Sequence, residues 1–119
     1  MLNFREIENV VVAELADEDL LINEVQEMLD LMGDCGVNNC YSIILNEKNI
    51  NPDFFRLHTG FAGEILQKFS TYGFKLAIVG DFSKYTSKNM RDFIRESNRG
   101  NRVFFVENSD TGFLKLAGK

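Results

Sequence analysis

The chain has 119 residues, a formal net charge of −5, 45% apolar and 26% charged residues, 11 Phe and no Trp. That length suits one domain over residues 1–119, and the composition excludes a disordered chain. An acidic surface repels phosphate backbones and anionic lipid, so neither nucleic acid nor a membrane is expected as a partner.

Phe4–Ile7 and Val10–Leu15 read as two short strands joined by Glu8-Asn9, because the β-branched run favours extended backbone. An antiparallel hairpin is the simple arrangement. Asp17 or Asp19 then caps a helix in which Leu21, Ile22, Val25, Met28, Leu29 and Met32 recur at helical spacing. Gly33 or Gly36 ends it. Cys40–Leu45 is a short apolar strand, followed by a turn at Asn49, Asn51 and Pro52. A second helix starts near Thr59 or Gly60, turns Phe61, Ile65, Leu66 and Phe69 inward, and stops at Gly73. Phe74–Val79 is almost wholly apolar, as a strand buried on both faces must be.

Gly80-Asp81-Phe82-Ser83 is the next loop. Thr86 or Ser87 caps a third helix with Met90, Phe93 and Ile94 inward and Gly100 at its end. Arg102–Val106 is a further strand. Ser109 caps a short last helix carrying Phe113, Leu114 and Leu116. The order β-β-α-β-α-β-α-β-α implies an α/β fold with a largely parallel, open mixed sheet and right-handed crossovers.

Cys35 and Cys40 flank a Gly36-Val37-Asn38-Asn39 turn. With only His58 as a further soft donor, buried thiols are expected there, and no metal. No apolar stretch is long enough to span a bilayer. Met1–Glu6 lacks a basic stretch followed by an apolar core, so no signal peptide and a cytoplasmic setting are expected. No Walker or dinucleotide glycine pattern is present, and no cofactor is expected.

In an open parallel sheet, ligands bind beyond the carboxyl ends of the strands. Asn46-Glu47, Gly80-Asp81, Glu107-Asn108-Ser109 and the helix starts near Thr59 and Ser87 converge there. Leu57–Glu64 holds the one His of the chain and two glycines at a helix entrance, where free N–H groups and the helix dipole attract anions. His58, Thr59, Gly60, Glu64, Asp81 and Ser87 are therefore the candidate ligand- or partner-binding residues. Each also has a purely structural reading. Thr59 caps the helix, Gly60 and Gly63 let it pack closely, Asp81 forms a turn, and His58 is a surface residue. His58 is the one catalytic candidate, because it titrates near neutral pH, but no spacing fixes a nucleophile and an orienting carboxylate beside it. Arg99 and Arg102, at the opposite rim, are a secondary anion-binding pair.

Asp53-Phe54-Phe55, Ala62–Phe69, Ala77–Phe82 and Phe93–Gly100 resemble a bacterial and archaeal family known as domain of unknown function 4180. That resemblance covers nearly the whole chain and implies no particular activity. The element order also resembles STAS and SpoIIAA-like domains, the anti-sigma-factor antagonists. In those, a Ser at the start of the second helix is phosphorylated by a partner kinase. His58 falls at that position and Thr59 at the Ser after it, with no Asp before them. The resemblance implies a regulatory, protein-binding module rather than an enzyme; a phosphate added to Thr59 would be stabilised by the free N–H groups of the helix entrance. A small-ligand or anion sensor, and a hydrolase or transferase using His58, are the other classes. A protein partner and a homodimer are both compatible with the sequence.

Overall fold

The computed structural model describes residues 2–119. Strand β1 (Leu2–Ile7) pairs antiparallel with β2 (Val10–Leu15). Glu8 and Asn9 between them have φ of 48° and 72°. Two consecutive positive φ values give a two-residue turn whose twist matches that of the flanking strands. β3 (Ser42–Asn46), β4 (Lys75–Val79) and β5 (Val103–Val106) run parallel to β2, and the sheet order is β1-β2-β3-β4-β5. The α/β class and the mixed open sheet expected from the sequence are both present.

Helices α1 (Val25–Gly36), α2 (Phe61–Tyr72) and α3 (Lys88–Arg99) connect the parallel strands, and α4 (Ser109–Leu116) follows β5. Each crossover moves the chain one strand along in the same direction. Right-handed crossovers of that kind place α1, α2 and α3 on one face. The core agrees. Ile43, Leu45, Leu76, Ile78 and Phe105 pack with Met28, Ile65 and Phe69 from α1 and α2. The alternate residues Val12, Ile44, Ala77 and Phe104 meet Leu116 of α4 on the other face. Alternation along the strand thus feeds two cores, which is why β3 and β4 read as continuous apolar runs. A fully buried ring such as Phe54 or Phe69 contributes about 2–3 kcal/mol. α4 lies close to the sheet at Gly112, where a Cβ would sit 3.2 Å from the Ala77 Cβ and 3.3 Å from the Val106 Cγ2.

Several boundaries differ from the sequence reading. α1 begins at Val25, not after Asp17 or Asp19. Its N-terminus is closed by Glu24 and Glu27, with the Glu27 carboxylate accepting the N–H groups of Asn23 and Glu24 at 3.0 Å each. Leu20 and Leu21 are exposed, and Ile22 forms a parallel bridge with Ile50. The reason lies 27 residues downstream of Ile22. Asn49 is fully buried and donates to the carbonyls of Asp17 (2.9 Å) and Leu20 (2.8 Å), while accepting the Asn46 N–H at 3.0 Å. A buried amide with all these bonds made outweighs the local helical preference of Leu20–Asn23. Asn108, not Ser109, caps α4, accepting the Thr111 N–H at 2.8 Å. The Ser109 hydroxyl instead donates to Glu14 at 2.6 Å.

Cys35 and Cys40 are both free and fully buried. Burial, then the neighbouring Cys40, pushes the Cys35 thiol up to about 12, so it stays protonated and unreactive at neutral pH.

Candidate functional site

The rim beyond the carboxyl ends of β3 and β4 is built from short 3-10 turns at Glu47–Asn49, Pro52–Phe55, Leu57–Thr59 and Phe82–Lys84. Glu47 leaves β3 and lies against the backbone at the end of β4. A Cβ on Gly80 would meet the Glu47 Oε1 at 2.6 Å and its Cβ at 2.9 Å. This glycine is needed for close approach. The Glu47 Oε2 accepts the Tyr85 hydroxyl at 2.5 Å and the Lys84 ammonium at 2.7 Å. Burial, then the bond to Glu47, raises the Tyr85 phenol above its usual range. Tyr85 stacks on Phe55, with centroids 5.2 Å apart, and on Phe82 at 6.3 Å, so one aromatic stack ties the Pro52–Phe55 turn to the loop after β4. Sequence reading placed Glu47 at this rim but missed its bonds to Lys84 and Tyr85, because nothing local pairs positions 37 and 38 residues apart.

The six candidate residues occupy this rim in different ways. Thr59 precedes the N-cap of α2, which is Gly60. Its Oγ1 lies 2.9 Å from the carbonyls of both Asp53 and Arg56 and accepts the Phe61 N–H at 3.2 Å. Gly60 has φ +79° and open space where a Cβ would sit, so it serves a left-handed turn rather than close packing; Gly63 likewise faces open space. Ser87 is the N-cap of α3 and accepts the Met90 N–H at 3.2 Å. His58 and Ser87 share a shallow cleft of about 240 Å³ with Leu57 and Met90. Asp81 accepts the Ser83 hydroxyl at 2.6 Å and its N–H at 3.1 Å. The Ser83 hydroxyl, then its N–H, holds the Asp81 carboxyl below the usual carboxylate range, with Lys84 adding to the effect. Glu64 is exposed on the first turn of α2. The structure therefore brings His58 and Ser87 together and leaves Asp81 bonded within its own loop.

Arg99 and Arg102 do not act as a pair. The Arg102 guanidinium donates to the carbonyls of Phe74 (2.8 Å) and Phe69 (3.3 Å) and satisfies the carboxyl end of α2. Arg99 lines a different feature, a groove along α3 with Arg91 and Arg95. Their four-residue spacing was visible in the sequence as one helix stripe. Among the described residues no three His, Cys, Asp or Glu side chains gather as a metal ion would need, and no helix is long and apolar enough to cross a membrane.

A family model described as domain of unknown function (DUF4180) matches residues 7–116. The chain belongs to the DUF4180 family. Its match takes in every strand from β2 onward and all four helices, so the rim described above is part of the DUF4180 domain. No curated protein and no solved structure matches the chain.

Proposed function

We propose that this DUF4180 protein is a non-enzymatic regulatory module that binds another protein through the rim around His58, Thr59 and Ser87. The observation that carries the reading is how the rim uses its polar side chains. Thr59 is bonded to the carbonyls of Asp53 and Arg56 in the two turns before α2, Asp81 to Ser83, and Glu47 to Lys84 and Tyr85. Nucleophilic catalysis needs a hydroxyl hydrogen-bonded to a base that is itself oriented by a third group. Here those groups fix loop shape instead. A prearranged surface of this kind suits docking, because little ordering entropy is lost on binding. The element order, which resembles that of STAS domains, supports the same reading. Buried, free Cys35 and Cys40 support a reducing, cytoplasmic setting.

A photo-crosslinking benzophenone amino acid placed at His58 tests this in cells. Position 58 should give a discrete crosslinked species that Tyr72, exposed at the opposite rim, does not. Equal or absent crosslinking at the two positions would overturn the reading.

A further inference from the structure

Charge is segregated along this chain. Residues 6 to 47 contain eleven Asp and Glu and no Lys or Arg, while residues 82 to 102 contain six Lys and Arg against two acids. The first stretch builds β2, α1 and β3; the second forms the loop after β4, α3 and the approach to β5. In the sheet β2 and β5 are separated by β3 and β4, and the two stretches meet where Leu21 lines one cleft with Lys84 and Tyr85.

On the basic flank, Arg91, Arg95 and Arg99 line an open groove of about 780 Å³. Four residues of α-helix separate successive guanidinium stems by about 6 Å. Arg95 is bonded to Asp92 at 2.6 Å; among the described residues Arg91 and Arg99 make no ion pair. Phe82, Tyr85 and Ile94 supply the apolar part of the wall. The rings of Phe82 and Tyr85 already stack on one another, and Tyr85 also on Phe55.

On the acidic flank, the loop after β2 displays Asp17-Glu18-Asp19-Leu20-Leu21, all exposed. Leu20 and Leu21 are 42% and 43% exposed, beside three carboxylates. Asn49 holds this loop by the carbonyls of Asp17 and Leu20, so its shape is fixed in advance. Glu18 alone of the three acids has an ion-pair partner among the described residues, Lys48 at 3.5 Å.

The loop offers what the groove lacks: carboxylates for guanidiniums and aliphatic side chains for apolar walls. The loop follows β2 at the rim, and the groove begins at that rim after β4 and runs along α3 to Arg99 at the other end of the helix. A twofold axis between them would bring each copy's loop to the other's groove, making the contact twice. We propose that the chain forms a twofold dimer in which the Asp17–Leu21 loop of each copy seats in the Arg91–Arg95–Arg99 groove of the other. A second copy is the occupant because the complementary segment, matched in both charge and apolar character, is carried by the chain itself. The contact uses neither His58 nor Thr59, so its failure and the failure of the docking reading are separate results. Exposed ion pairs contribute little singly and are screened by salt, so the dimer is salt-sensitive and leans on Leu20 and Leu21.

Sedimentation velocity over a range of protein concentration, at low and at high salt, tests it. A dimer should form at low salt and weaken as salt rises. Reversing the groove (Arg91→Glu with Arg99→Glu) or the loop (Glu18→Lys with Asp19→Lys) should each weaken it more than about tenfold. All four side chains are exposed, and circular dichroism verifies folding; Arg91→Gln with Arg99→Gln is the milder groove variant and should shift the equilibrium the same way. Mixing the two reversed proteins should restore the dimer, since one contact is then native and the other reversed on both sides. A chain that stays monomeric throughout, a dimer that either reversal leaves intact, or a mixture that stays monomeric would each overturn the proposal.

Discussion

The two rims of this sheet turn the chain by different means. At the amino ends of the parallel strands, the turns are made mostly by backbone. Gly73, with φ +72°, closes α2 by donating to the carbonyls of Phe69 and Ser70, and the N–H of Phe74 bonds Phe69 at 2.8 Å. Asn39, with φ 55°, ends the stretch after α1, where Val37, Asn38, Asn39 and Cys40 all bond carbonyls of the last helical turn. At the carboxyl ends, side chains do the work: Asn49, Asn51, Thr59, Asp81 and Glu47 each hold a loop in place. A rim made by backbone tolerates exchange of side chains, whereas a rim held by side chains has a shape that single substitutions can change.

Asn49→Leu strikes that difference hardest. It removes three hydrogen bonds and leaves the carbonyls of Asp17 and Leu20 and the Asn46 N–H without partners. Urea unfolding should show a loss of about 3 kcal/mol, with proteolysis beginning in the 16–24 loop. Gly80→Ala follows. Its Cβ would sit 2.6 Å from the Glu47 Oε1 and 2.9 Å from the Glu47 Cβ. Displacing that side chain should cost about 2 kcal/mol in the same assay.

Tyr85→Phe should cost about 1 kcal/mol at neutral pH through the lost bond to Glu47. It also sharpens the comparison by pH. Because the folded-state pKa of Tyr85 is raised, the stabilisation it gives is fully present below the ordinary tyrosine value of about 10 and is lost as pH rises above it. The gap between wild type and Tyr85→Phe, followed by unfolding midpoints, should therefore shrink on going to strongly alkaline pH and stay constant from pH 6 to about 9. At the opposite rim, Asn39→Gly should change stability by no more than about 0.5 kcal/mol, because the left-handed backbone suits glycine and no side-chain bond is lost. A cost at Asn39 equal to that at Asn49 would erase the distinction between the rims.

Much of the fold was legible locally. The alternation in Val10–Leu15, the apolar runs of β3 and β4, and the stops at Gly73 and Gly100 all rest on preferences of neighbouring residues. Ser87 as the cap of α3 was readable for the same reason. The start of α1 was not. Leu21 and Ile22 fit a helical stripe, but Asn49 draws that segment into a loop and Ile50 takes Ile22 into a bridge. At the rim, His58 and Ser87 could be placed at one edge from topology alone. That Glu47 would bond Tyr85 and Lys84, or that Arg102 would close α2 while Arg99 lined a groove, depended on partners far along the chain.

The sequence by itself determined the alternation of strands and helices, the hairpin, the buried thiols and the charge balance, because each follows from composition or from residues within a turn of one another. Tertiary structure alone decided the long-range fasteners, Asn49 to Asp17 and Leu20 and Glu47 to Tyr85 and Lys84. Burial and hydrogen-bond satisfaction depend on what the folded chain brings within about 3 Å of a group, and local spacing does not encode that distance.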